Sequence, residues 1–168
     1  FLDSVLNEIN EGEFTQVDWL KNNRLEVIIK IIEYFDKTEF YNMADSGAWE
    51  ENERINTSSV GLVTSALENL SQIRQNKKNS NNILFLKDLH KLSNKININI
   101  SEKKINKLIE KGYARINKQL NLGGESPDYD KSDERYRTGD AALLNLIYPA
   151  KLKLLSVKQK KQILEIVD

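Results

Sequence analysis

Cysteine is absent from the chain, which excludes disulfides and thiol chemistry but does not fix a compartment. Histidine occurs once, so a histidine-rich metal site or a Ser-His-Asp triad would hang entirely on His90. No apolar run approaches the length that crosses a bilayer; the densest, residues 27–32, contains Lys30. An excess of one charge is also missing. The 25 Lys plus Arg balance 25 Asp plus Glu, so no global field draws the chain to nucleic acid or to an anionic membrane. The chain opens on Phe1, without Met or a signal-like segment. That leads us to expect a soluble protein with further residues upstream. What remains is an ordinary globular balance, 39% hydrophobic and 30% charged, in 168 residues, enough for one domain with a real core.

The apolar period is helical nearly everywhere, and no convincing sheet emerges, so the expected fold class is all-α. Leu2, Val5, Leu6 and Ile9 form a short stripe ending at Gly12. Val17, Leu20, Val27, Ile28, Ile31, Ile32 and Phe35 read as one longer amphipathic helix. Residues 36–56 then read as a connecting loop. Thr57 or Ser58 would cap the next helix, which buries Val60, Val63, Ala66, Leu67, Leu70 and Ile73. On it Gly61, Ser65 and Ala66 are small enough for another element to approach closely. Residues 74–82 resemble a solvated linker, and Ile83, Phe85, Leu86, Leu89 and Leu92 a further short helix. Ile96, Ile98 and Ile100 alternate with Asn in a way that mimics a strand, although a lone strand has nothing to pair with. Ser101 would cap a helix along Ile105, Leu108, Ile109, Gly112, Ile116 and Leu120. Residues 122–139 read as a polar loop, Asp140 as the cap of 141–148 with Pro149 as its stop, and Ser156 as the start of a last helix.

One loop carries chemistry. Ala44-Asp45-Ser46-Gly47-Ala48-Trp49-Glu50-Glu51, followed by Arg54, sets an aromatic platform beside two carboxylates just before a helix. An indole face covers the apolar face of a pyranose, and a carboxylic acid can protonate a glycosidic oxygen. On this reading Glu50 is a general acid, Trp49 a sugar platform and Glu51 a second polar contact. Asp45 would orient Trp49 or Glu50, and Arg54 would keep a carboxylate ionised. The competing reading is structural: Trp49 packed on the core, Asp45 building a turn before Ser-Gly, Arg54 an exposed loop cation. His90, on a predicted helix, reads as a partly exposed structural residue. The acidic run Asp128-Tyr129-Asp130-Lys131-Ser132-Asp133-Glu134 invites a calcium reading. It lacks the sharp-turn Gly, and Gly139 falls where a bidentate Glu is needed, so an EF-hand is rejected. Lys158, Lys160 and Lys161 read as the wet face of the last helix.

Two ordered blocks carry a family resemblance. The first is Asp45-x-Gly-Ala-Trp49-Glu50-Glu51 with Arg54 and Thr57-Ser58-Ser59-Val60-Gly61-Leu62, continuing to Ser65-Ala66-Leu67-Glu68. The second is Asp140-Ala141-Ala142-Leu143-Leu144-Asn145-Leu146-Ile147-Tyr148-Pro149. Together they resemble the glucoamylase family (glycoside hydrolase family 15) and the related regulatory α and β subunits of phosphorylase kinase. The Ser-Ser-Val-Gly and Asp-Ala-Ala-Leu-Leu wording lies nearer the kinase-subunit branch, and Trp-Glu-Glu nearer fungal glucoamylases. The resemblance spans residues 40–168, strongly in the blocks and poorly between 74 and 135.

This resemblance implies an α/α toroid of twelve helices with a sugar pocket at one end, of which residues 1–168 would form about half. The remainder of the ring would come from the same or another chain. It implies Glu50 as general acid, with Trp49 and Glu51 lining the sugar sites and Asp45 and Arg54 as less secure substrate contacts. Asp140 would be a structural cap. The implied reaction is inverting exo-hydrolysis of α-glucosidic bonds in starch- or glycogen-like glucans and maltooligosaccharides. It needs neither metal nor organic cofactor, and neither nucleic acid nor membrane as partner. Inverting enzymes hold their carboxyls about 6.5–9.5 Å apart to admit a water. Glu51, adjacent to Glu50, is therefore a poor base, and the family's base lies downstream of anything present here. The alternative implied by the same resemblance is a non-catalytic glucan-sensing or regulatory module. A plain helical interaction domain with a chance Trp-Glu-Glu is a third reading.

Overall fold

The computed structural model describes residues 2–49 and 52–168. Among them the fold is helical, without a named strand, as the sequence period predicts: α1 Leu2–Glu11, α2 Gln16–Leu20, α3 Arg24–Lys37, α4 Thr57–Gln75, α5 Ser80–Lys95, α6 Glu102–Leu122 and α7 Val157–Val167. A 3₁₀ helix, Ala141–Leu146, lies between α6 and α7. The chain divides into two compact units, Phe1–Thr38 with Ala66–Ile109 and Glu39–Ser65 with Glu110–Asp168. No helix among the described residues is long and apolar enough to cross a membrane.

In the first unit the predicted stripe of α1 is buried as read, and α1 and α3 both pack on α5. The long helix expected from Val17 to Phe35 is instead broken. Asn22 and Asn23 take left-handed conformations, φ 50° and 58°, and two such residues cannot continue a right-handed helix. The break leaves Val17 64% and Leu20 57% exposed and buries Trp19 completely. Trp19 packs edge-on to Phe85 at 5.4 Å and donates its indole N–H to Asp88 at 3.1 Å. The isoleucine alternation at 96–100 is no strand. Asn97, at φ 57°, turns the chain after α5, with Ile98 N–H returning to the Ser93 carbonyl at 2.9 Å. Residues 74–82 are less of a linker than predicted, because α4 runs to Gln75 and α5 starts at Ser80. The Asn79 side chain caps α5 through Asn81 N–H at 2.9 Å.

The second unit is built on close approach at small residues. A Cβ on Gly61 would lie 2.0 Å from Leu146 Cδ2, and one on Gly112 would lie 2.2 Å from Thr64 Oγ1. Ser65 Oγ donates to the Ala150 carbonyl at 2.7 Å. The small face predicted for α4 therefore seats the end of the 3₁₀ helix, at Leu146, and the segment that follows it. Ser156 caps α7 as expected, in a reciprocal capping box with Gln159. Residues 122–139 form the polar loop of the sequence reading, with part of it folded inward. Ser126 and Arg137 exchange backbone hydrogen bonds of 2.7 and 3.0 Å, and Glu125 and Ser126 are buried.

Candidate functional site

The site is assembled around the N-terminus of α4. Upstream, Asp45 and Arg54 pair as an isolated antiparallel bridge, with N–H···O distances of 2.9 and 3.0 Å, closing the loop that carries Trp49. Asp45 Oδ1 accepts from Gly47 N–H at 2.6 Å, from Asn56 Nδ2 at 2.9 Å and from Ser59 Oγ at 3.0 Å. Gly47 is required twice over. Its φ of 65° favours a residue without Cβ, and a Cβ there would lie 2.9 Å from Asn56 Nδ2. Asp45 thus builds the turn and ties it to α4. Its side-chain bonds run to the turn and to α4 and not to Trp49, while the other half of the expectation, Glu50, lies outside the described residues. Arg54 is not the exposed cation of the structural reading: it is 3% exposed.

Trp49 is likewise not packed on the core. It is 58% exposed, and its indole N–H donates to Asp140 Oδ1 at 2.8 Å. Asp140 caps the 3₁₀ helix through Ala142 N–H at 2.8 Å, as the sequence predicts, and also accepts from Arg137 Nη1 at 2.8 Å. Burial works to raise the Asp140 pKa, but the hydrogen bonds from Trp49, Ala142 and Arg137 outweigh it and hold the carboxyl below its usual range. Glu50, the candidate acid, and Glu51 lie outside the described residues.

Sequence reasoning missed Glu125. Its carboxylate accepts from Ser58 N–H at 3.1 Å and from Ser58 Oγ, so the start of α4 is capped from a distant segment and not by Thr57 or Ser58 themselves. Thr57 donates its N–H at 3.0 Å and its hydroxyl at 2.8 Å to the Glu125 carbonyl. The run Thr57-Ser58-Ser59 therefore spends each hydroxyl on a different tether: the Glu125 backbone, the Glu125 carboxylate and Asp45. Glu125 is 1% exposed, and burial, helped by nearby Asp140 and Asp45 and opposed by the Ser58 hydrogen bonds, pushes its pKa up to about 7. One signal was present in the chain. Gly123-Gly124 precede it, and a Cβ on Gly124 would lie 1.9 Å from the Thr138 carbonyl oxygen, so only glycine lets these segments meet.

The other candidates are spent locally. In the acidic run, Asp128 accepts from Arg115 at 3.0 Å, Asp130 from Ser132 Oγ at 3.0 Å and Asp133 from Arg135 at 2.6 Å. His90 is exposed on α5.

No family model matches the chain, and no solved structure matches it either. Two proteins of Escherichia coli (strain K12) are similar to it. The uncharacterized lipoprotein YgeQ is 41% identical over 46 residues, covering 27% of this chain and only 17% of YgeQ. YgeP is 45% identical over 103 residues, covering 60% of this chain and 100% of YgeP. With that identity sustained along the whole of YgeP, the chain belongs to the same family as YgeP.

Proposed function

We propose that the Trp49 loop binds α-glucan or maltooligosaccharide chains and that the protein is a glycoside hydrolase of glucoamylase type. The observation that supports this most is the meeting of the two resemblance blocks. They are separated by a long, poorly matching stretch, yet the Trp of the first donates to the Asp of the second at 2.8 Å. An exposed indole held by a buried carboxylate suits stacking on the apolar face of a glucose ring. Glu50, next along the loop, would give its proton to the leaving glycosidic oxygen. A water activated by a carboxylate from another part of the ring would add its hydroxyl to the anomeric carbon from the opposite face, with inversion. Residues 1–168 would then be about half of an α/α toroid, and the base would come from the rest of it.

One observation favours a second reading, a glucan-binding regulatory module without hydrolysis. Asp45, Glu125 and Asp140 are all engaged by hydrogen bonds from within the protein, so as arranged they serve structure and not a water.

The test takes the intact protein and maltoheptaose, with NMR of any glucose released. β-Glucose from the wild type and none from Glu50→Gln, with binding retained, supports the hydrolase. Saturable binding without release supports the regulatory module. Binding that is unchanged in Trp49→Ala sinks both readings.

A further inference from the structure

Trp49 is more than half exposed, and a side chain so placed ordinarily samples several rotamers. Its acceptor is unusually well anchored. The Asp140 side chain is 6% exposed, and its Oδ1 takes both the Trp49 indole N–H and the Ala142 N–H, each at 2.8 Å. Its other oxygen, Oδ2, takes Arg137 Nη1 at 2.8 Å. Arg137 is itself fixed by backbone pairing to Ser126, at 2.7 and 3.0 Å. The indole therefore donates to an ionic acceptor that cannot turn to follow it, and charge-assisted bonds of this kind are the strong ones.

We propose that Asp140 is a positioning residue for Trp49, locking the exposed indole at one angle so that a glucan meets a preformed platform. The statement about affinity rests on the glucan reading of Trp49; the statement about rigidity does not. Preorganisation matters because immobilising a side chain on binding costs affinity, up to about tenfold for one residue. Asp140 thus does two jobs, capping the 3₁₀ helix and aiming the ring, and the two can be separated. Asp140→Ser retains a capping oxygen for Ala142 but is too short to reach the indole. Asp140→Asn retains an acceptor at the Oδ1 position for both donors.

The chain has two tryptophans, which makes the experiment self-controlled. Indole ¹⁵N relaxation would follow Trp49, with the buried Trp19, bonded to Asp88, as the internal reference. In Asp140→Ser the Trp49 indole order parameter is expected to fall from roughly 0.85 to below roughly 0.6 while Trp19 holds, and Asp140→Asn, which keeps the acceptor but loses the charge and the Arg137 bond, is expected to lie between the two. Maltoheptaose titration should show about tenfold weaker binding in Asp140→Ser, and less than about twofold further change when the same substitution is made in Trp49→Phe, which has no N–H to aim. A Trp49 order parameter unchanged in Asp140→Ser overturns the proposal. So does an equal affinity loss in the Trp49→Phe background, since Asp140 would then act by another route. Absence of maltoheptaose binding in the wild type would remove the glucan reading while the order parameters still decide the positioning role.

Discussion

Among the described residues, Glu125 is a carboxyl whose burial shifts its proton affinity far from the ordinary value. Burial favours its neutral form, so the folded state holds a proton there up to about pH 7, whereas the ordinary carboxyl value is 4.5. The sign follows from linkage. Between those values the native state binds more protons than the unfolded chain, so stability falls as pH rises. The neutral-form advantage is fully present below pH 4.5 and lost above about 7. The loss amounts to about 3 kcal/mol at the plateau. Glu125→Gln, which keeps the shape and carries no charge, is therefore expected to be more stable than wild type at pH 8 by a comparable amount and to converge with it near pH 4.5. Urea unfolding at several pH values measures this, and parallel curves for the two proteins would contradict the buried-proton account. The polar partners at this scale were hidden from sequence reading. An acid following two glycines announces a tight passage, but nothing in that run says the carboxylate will cap a helix 67 residues earlier.

At the level of elements, the two glycines that face neighbours predict a cost opposite to helix propensity. Alanine is the better helix former by roughly 1 kcal/mol. At Gly112, however, a methyl would strike Thr64 Oγ1, which is itself bonded to the Val60 carbonyl at 2.7 Å, and would crowd Phe40 Cζ at 3.2 Å. Gly112→Ala is expected to destabilise by about 1–3 kcal/mol, the usual range for overpacking. Gly61→Ala should do likewise against the fully buried Leu146, unless that side chain can move aside. Chemical denaturation reads both directly; a gain in stability at either position would mean that the helices are not in contact there. Element starts and stops were largely readable beforehand, because caps and apolar periods are local: Gly12 ends α1, Ser101 precedes α6 and Ser156 caps α7. The failures were local as well. Val17 to Phe35 has a helical period in composition, but Asn22 and Asn23 adopt left-handed backbone, and a period count is blind to two permissive residues in a row.

For the molecule as a whole, a ligand that binds only the folded state must raise its stability. Maltoheptaose at one hundred times its dissociation constant would add about 2.7 kcal/mol. That translates to roughly 5–10 °C in melting temperature for a chain of this size. On the proposed glucan reading, wild type should show this shift and Trp49→Ala little of it. Calorimetric scans with and without the sugar would test this, and a shift of equal size in both proteins would move the binding site away from Trp49.

The helical class of the chain and the approximate run of its helices followed from the amino-acid order, because turn geometry converts spacing directly into a buried face. The same order singled out Asp45 and Trp49, which the fold bonds to Ser59 and to Asp140. Which acid serves which donor was decided by folding. Trp49 finds Asp140 91 positions later, Ser58 finds the Glu125 carboxylate, and Arg54 turns from a loop cation into a buried residue. These pairings join residues far apart in the chain, so no periodicity records them. They exist only because close contacts at Gly61, Gly112 and Gly124 bring the second unit's segments together, and a desolvated carboxyl must then take the donors within its reach.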